Sequence, residues 1–391
     1  MLTTKNWTLI LPTGILLVIG ATSPALAGQF SHFRLFTDGS QPWAIATGDY
    51  NEDGRSDLAV VNYTGKSLSV MLAGADGSFD SHLDYATELN PITVDAADLN
   101  GDGHLDLVVG STLNDGLDDG SVGVMLGNGD GTFQPMVSYD AGANVTSVAV
   151  GDFNEDGHLD VVLAYSVVVP AGSWVSTYLG NGDGTLQPRT DTPVGRGSAT
   201  VSVGDLDSDG HLDVAVVDPD ISNADNGVNL LFGNGDGTWQ PVVHIRTGTV
   251  PTSAAIADFN HDGNPDLVVT VGGPGSAGHH ASVFLGNGDG TFQKAVNYDT
   301  AIHPNSVAVA DFDGDGDIDM VVADWFSRVV SVFIGNGDGT FQPGTGYSIG
   351  PGPYFVAVGD FNGDGRPDVV TANERNYGGT TVGVILNTGT R

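Results

Sequence analysis

A nine-residue pattern, Asp-x-[Asp/Asn]-x-Asp-Gly-x-x-Asp, occurs seven times in this 391-residue chain, starting at Asp49, Asp98, Asp152, Asp205, Asp258, Asp311 and Asp360. Successive copies are 49 to 54 residues apart. Self-similarity at such a period marks a repeat architecture, in which each unit buries its apolar face only against its neighbours. Any fold for this chain must accommodate seven equivalent units.

Within each copy, alternating oxygen-bearing side chains and a glycine turn have the chemistry of a calcium loop. A hard cation takes oxygen ligands, and positions 1, 3 and 5 converge on one point when the chain between them curls tightly. Position 1 is the starting aspartate. Position 3 is Asn51, Asn100, Asn154, Asp207, Asn260, Asp313 and Asn362, and position 5 is Asp53, Asp102, Asp156, Asp209, Asp262, Asp315 and Asp364. Position 6 is glycine in every copy, which permits the turn without a Cβ clash. Position 7 offers its backbone carbonyl, so its side chain varies: Arg55, His104, His158, His211, Asn264, Asp317 and Arg366. The three histidines are expected to have no role beyond that carbonyl. Position 9 closes the ligand set with Asp57, Asp106, Asp160, Asp213, Asp266, Asp319 and Asp368, making a loop shorter than the roughly 12-residue loop of a helix-flanked calcium site. The expected complement is up to seven structural Ca²⁺ ions.

Short β-branched or alternating runs flank each loop, such as Ser147-Val148-Ala149-Val150 before and Val369-Val370-Thr371 after, and they predict strands. A second repeated element, Gly127-Asn128-Gly129-Asp130-Gly131-Thr132-Phe133, returns at Gly180, Gly233, Gly286 and Gly335. Asn-Gly and Asp-Gly between apolar runs signal a hairpin turn, and that reading is preferred to a second cation site. Each unit then holds four strands. The fourth starts at the Phe, Leu or Trp that ends the turn and often runs to a tyrosine: Tyr85, Tyr139, Tyr298 or Tyr347. Seven such units predict an all-β fold, a seven-bladed β-propeller of four-stranded antiparallel blades. The last unit lacks a fourth strand, whereas Phe33-Arg34-Leu35-Phe36 precedes the first unit as a strand with no unit of its own. The N-terminal strand is therefore expected to complete the last blade and leave no open edge.

These loops and turns resemble the FG-GAP or VCBS-type repeats, and are similar to those of the integrin alpha-subunit propeller. The resemblance covers about residues 30 to 391. It implies that the acidic loop joins the first two strands of each blade and binds calcium there. Integrin propellers fill only some blades, so seven sites would be a departure. Functions in the family range from adhesion and lectin-like binding to accessory roles beside polysaccharide-degrading domains.

Composition narrows the function classes. The formal charge is −36, with 48 acidic and 12 basic residues, and 26 of the acids lie in the seven loops. A field of that sign excludes nucleic acid as a partner. Cysteine is absent, so stability must come from core and metal rather than disulfides. Lys5, the apolar stretch from Trp7 to Ile19, and Ala25-Leu26-Ala27 read as a secretory signal peptide over residues 1–27. That stretch is short for a bilayer span and is interrupted by Pro12, so no membrane insertion is expected. Residues 28–391 form the single propeller domain, a monomer, secreted or held at the cell surface or periplasm after cleavage near Ala27.

Propeller geometry places both repeated loops on one face and the irregular loops on the other. Differing loops on a rigid scaffold suit recognition, and aromatic and arginine side chains are its usual anchors. Trp174, Trp325, Arg328, Arg375 and Tyr377 are the ligand candidates, with Arg196, Arg246, His303 and Tyr354 between blades. The expected function is a secreted calcium-binding module for extracellular ligands or adhesion, its partner a glycan or surface protein. The alternative is a calcium-dependent polysaccharide lyase or hydrolase, or an accessory domain to one. Catalytic signatures are few: no His-Glu-x-x-His helix occurs, and the absence of cysteine removes cysteine nucleophiles. Adjacent His279 and His280 point apart on an extended chain and read as a solvated loop.

Overall fold

The first strand of every blade ends on the residue before an acidic loop, and the second begins on that loop's last aspartate, as in Asn90–Ala97 followed by Asp106–Thr112. The computed structural model describes residues 29–389, apart from 32, 38–39, 88, 113–119, 168–171, 196, 198, 220–225, 249, 273–277 and 374–378. Residues 1–27, read above as a signal peptide, and candidates Arg196, Arg375 and Tyr377 lie outside the described residues. Among those described there are 28 strands and no helix. They form seven antiparallel four-stranded sheets, and the first strands contact one another in order around a closed ring. The fold is a seven-bladed β-propeller.

Burial follows position within the blade. Second strands such as Asp57–Asn62 and Asp266–Val271 are buried at every residue, because neighbouring blades cover both faces. This explains their unbroken apolar runs. Fourth strands such as Val296–Asp299 are exposed apart from a half-buried tyrosine. That tyrosine reaches the next blade. The hydroxyls of Tyr85, Tyr139 and Tyr298 accept hydrogen bonds from the backbone N–H groups of Phe133, Leu186 and Phe341, at 2.9–3.1 Å.

The fourth strand starts later than its sequence suggests. Phe133 makes only an isolated bridge to Gly127, and the strand proper begins at Val137. Pro135 lies in the gap, where it has no N–H to give a ladder; Pro188, Pro241 and Pro343 hold the same place in other blades.

The N-terminal strand Arg34–Thr37 pairs with Thr381–Ile385 and completes the last blade, with Phe36 opposite Val382. Just before it, Phe30 is buried and packs edge-on against Phe312 and Tyr347, with ring centroids 5.7 and 5.0 Å away. The Gln29 amide donates to the Phe312 carbonyl at 2.8 Å. Gln29 and Phe30 therefore tie blade 7 to blade 6. Phe30→Ala should destabilise the protein by about 3–5 kcal/mol, the usual loss for deleting a buried aromatic ring, measured by denaturant titration in calcium.

Candidate functional site

Each acidic loop is wired through its own carboxylates. In blade 5, Asp258 accepts hydrogen bonds from the N–H groups of Asp262 and Gly263 at 3.2 and 2.9 Å. Asn260 accepts from Asp262, and Asp262 from Asn264. The bond from the position-6 glycine to the position-1 aspartate recurs in all seven loops at 2.7–3.0 Å. Two residues per loop take left-handed φ: position 6 as expected, and also position 4, where Glu52, Glu155, Ser208 and His261 stand at 56–59°. The glycines at position 4, Gly101, Gly314 and Gly363, were the sequence signal for that second turn.

This double curl gathers oxygens. Asp205, Asp207 and Asp209 bring ligand atoms within 4.8 Å of one another, as do Asp311, Asp313 and Asp315. Five loops carry Asn at position 3, which supplies an amide oxygen in place of a third charge. Burial and the neighbouring Asp209 and Asp205 push the Asp207 carboxyl up. Hydrogen bonds from the position-7 N–H hold Asp102 and Asp156 below the usual range, and therefore ionised. An all-oxygen donor set on a tight turn fits a hard divalent cation.

The position-9 aspartates have a further task. All seven are fully buried. One carboxylate oxygen accepts the position-2 N–H of the same loop at 2.6–3.0 Å. The other accepts an N–H from the segment after the third strand at 2.6–2.8 Å. Each aspartate thus clamps the acidic loop to the end of its blade's third strand, with lone pairs remaining for a cation.

Adjacent blades are joined through position 2, which is always apolar or aromatic. Tyr50, Phe153, Phe259 and Phe361 meet Phe133, Trp239, Phe341 and Phe79 of the next blade edge-on, at 5.3–5.7 Å. Position 7 contributes as well, contrary to expectation. His104 bonds Glu52 of the preceding blade, His211 bonds Glu155, and His261 bonds Asp317 of the following blade. These latches occur where position 4 carries a long polar side chain. The hydrogen bonds to Glu52 and Glu155 push the His104 and His211 pKa values up. The loop preceding that of His158 carries Gly101 at position 4, which has no side chain to offer.

The glycine-rich turn is closed by its own residues: Asp130 accepts from both the Thr132 N–H and its hydroxyl. Its glycines leave room for neighbours. A Cβ on Gly129 would lie 2.4 Å from His104, and one on Gly131 2.8 Å from Leu72 of the preceding blade.

The opposite face is different in kind. Where the first strands begin, a cavity of about 440 Å³ opens on the ring axis. Aromatic rings line one side of its mouth. Trp43 stacks on Tyr63 at 4.7 Å and meets Tyr354 at 5.4 Å; Tyr354 meets Trp325 at 6.4 Å, and Trp325 meets His303 at 5.1 Å. Of the candidate ligand residues, Trp325 lines this cavity. Arg328 is exposed and is not among the lining residues; its φ is 58° and its N–H is bonded to the Asp324 carbonyl. Trp174 lies half-buried in the third strand of blade 3 against the interblade core, away from the cavity. Trp43 escaped the sequence reading because it sits in a first strand rather than a loop. His279 turns from His280 to the Gly272 carbonyl, at 3.1 Å, with its ring 6.3 Å from that of His303.

The FG-GAP-like repeat matches residues 49–109, 113–163, 165–216, 205–269, 270–322 and 311–371, and all seven acidic loops fall inside these spans. The chain belongs to the FG-GAP-like repeat family. It is 29% identical over 231 residues to the human T-cell immunomodulatory protein, covering 57% of this chain and 36% of that protein. The chain thus spans about a third of that relative's length. It also matches the crystal structure of the V. cholerae biofilm matrix protein Bap1 at 14% identity, over 90% of this chain and 88% of the other, with a TM-score of 0.46.

Burial pushes Asp57, Asp160 and Asp213 up to about 6, and Asp319 and Asp368 up to about 7, with adjacent loop carboxylates adding to the rise. Asp106 and Asp266 move the same way. A carboxyl whose pKa is raised on folding stabilises the fold below its unfolded pKa, about 4, and loses that contribution as pH rises through the folded value. The ion-free protein should therefore melt at progressively lower temperature from pH 5 to pH 8. Saturating calcium should remove or reverse that slope, as read by calorimetry with and without chelator.

Proposed function

We propose that this FG-GAP-family propeller is secreted, is fastened by calcium in its seven acidic loops, and binds an extracellular glycan or surface protein through the opposite face. The supporting observation is the division of labour between the faces. On the acidic face the repeated polar groups are engaged within their own blade or with the next one. On the other face, aromatic side chains from blades 1, 6 and 7 converge around an open axial cavity. A concave site with aromatic walls and a few polar groups is the usual form of a ligand pocket.

Calcium would be held by side-chain oxygens at positions 1, 3, 5 and 9 and by the position-7 carbonyl. When bound, it neutralises carboxylates that otherwise repel one another. At an extracellular-type affinity of roughly 0.1 mM and about 1 mM free ion, each site contributes about 1.4 kcal/mol. Seven sites give about 10 kcal/mol, comparable with the stability of a whole domain. The leader-like residues 1–27 support the secretion part of this reading. Among the described residues no helix is long and apolar enough to cross a membrane. The strongly negative charge argues against nucleic acid as a partner.

The test is binding of labelled, calcium-loaded protein to arrays of glycans and of cell-surface proteins. The Trp325→Ala, Tyr354→Ala double variant should lose binding, and Asp130→Asn on the acidic face should retain it. The opposite outcome, binding that survives the first change and is lost with the second, would put the ligand on the acidic face.

A further inference from the structure

Two side chains lining the axial cavity carry polar atoms with no partner among the described residues. His303 is 5% exposed, and neither of its ring nitrogens has a hydrogen-bond partner among the described residues. In the same lining, the buried hydroxyl of Thr200, two blades away, likewise has no partner among the described residues. Most buried polar atoms in folded proteins are satisfied, so three orphaned atoms around one cavity call for an occupant. The imidazole is held in place: its ring contacts Trp325 and Phe326 edge-on at 5.1 and 5.0 Å, and its carbonyl accepts the Trp325 N–H at 3.0 Å.

The lining defines the occupant's chemistry. Among the described residues it contains no Asp, Glu, Lys or Arg, so a charged group entering the cavity would lose its hydration without gaining a counter-ion from them. An anion is further opposed by the net charge of −36. Burial and the nearby His279 lower the His303 pKa, which keeps the ring neutral, with one nitrogen donating and the other accepting. A hydroxyl group both donates and accepts, and it can take the place of an ordered water with the same geometry. Trp43, Tyr354 and Trp325 add flat apolar surface on one side of the mouth. A compact molecule with many hydroxyls, an apolar face and no charge matches all three features. A volume of about 440 Å³ falls within the range of small-ligand sites, roughly 300–1,000 Å³.

We infer that the axial cavity is a binding site for an uncharged saccharide residue, which stacks on the Trp43–Tyr354–Trp325 wall and hydrogen-bonds through its hydroxyls to His303. This rests on the reading that the ligand is taken up by the face opposite the acidic loops, and it specifies the chemical class of that ligand.

The experiment titrates the calcium-loaded chain with the methyl glycosides of glucose, galactose, mannose, fucose and N-acetylglucosamine, and with their neutral disaccharides. Tryptophan emission and calorimetry report binding. At least one neutral sugar should bind saturably. His303→Phe should weaken it about tenfold or more, as expected for loss of a buried hydrogen bond. His303→Gln, which keeps a donor and an acceptor, should recover part of the loss, and Trp174→Ala should change nothing. Melting in calcium identifies the variants that remain folded; should His303→Phe not fold, Thr200→Val must weaken the same sugar. The inference is overturned if folded variants bind the sugar as well as the parent protein does. It is also overturned if no neutral sugar binds while a protein or acidic polysaccharide ligand still depends on Trp325 and Tyr354, in which case the broader reading stands. Ligand binding indifferent to Trp325 and Tyr354 defeats both.

Discussion

A buried carboxylate at the end of each acidic loop is the contact on which the rest of the propeller depends. Burying an ionised carboxyl is costly unless hydrogen bonds replace its hydration. Here both oxygens of each position-9 aspartate accept backbone N–H groups, one from the loop and one from the end of the third strand. The loop joining the first two strands is thereby fixed to the outer half of the blade. Position 2, drawn inward by the same aspartate, delivers an apolar side chain into the gap between blades, as Phe259 does against Phe341. One residue type thus links local turn geometry, blade integrity and packing between blades.

Repetition of this clamp explains why the two faces diverge. On the acidic face, a change at almost any repeated position disturbs a neighbour. The glycine-rich turn lies under the position-7 side chain of its own blade and over a hydrophobic residue of the preceding one, as Gly129 and Gly131 illustrate with His104 and Leu72. The opposite face carries few such obligations. Its segments differ in length and composition, and the rings of Trp43, Tyr354, Trp325 and His303 meet there without a repeating rule. A rigid ring with one committed face and one variable face is a scaffold suited to recognition.

The sequence disclosed the parts of this structure that are local or periodic. The blade count, the acidic loops and the closing strand at Arg34–Thr37 follow from spacing and from the unmatched strands at the two ends. What it concealed depends on contacts between distant segments. The Glu52–His104 and Glu155–His211 latches join residues 52 and 56 positions apart, and nothing in either loop alone shows that they meet. The axial cavity draws Trp43, His303, Trp325 and Tyr354 from blades 1, 6 and 7, so the composition of the separate loops points to Trp325 but not to Trp43, which lies in a strand. Trp174 had the composition of an anchor, yet its place in the third strand of blade 3 assigns it to interblade packing.

Hydrogen exchange at single amides tests the clamp most directly. Phe259 and Gly286 donate to the two oxygens of Asp266, at 2.8 and 2.7 Å. An asparagine at position 266 keeps one acceptor oxygen and loses the other. In Asp266→Asn, protection at one or both of these amides should fall sharply in blade 5, while the equivalent amides Leu99 and Gly127 of blade 2 keep theirs. Unchanged protection at both Phe259 and Gly286 would show that the buried aspartate is not what holds the blade together.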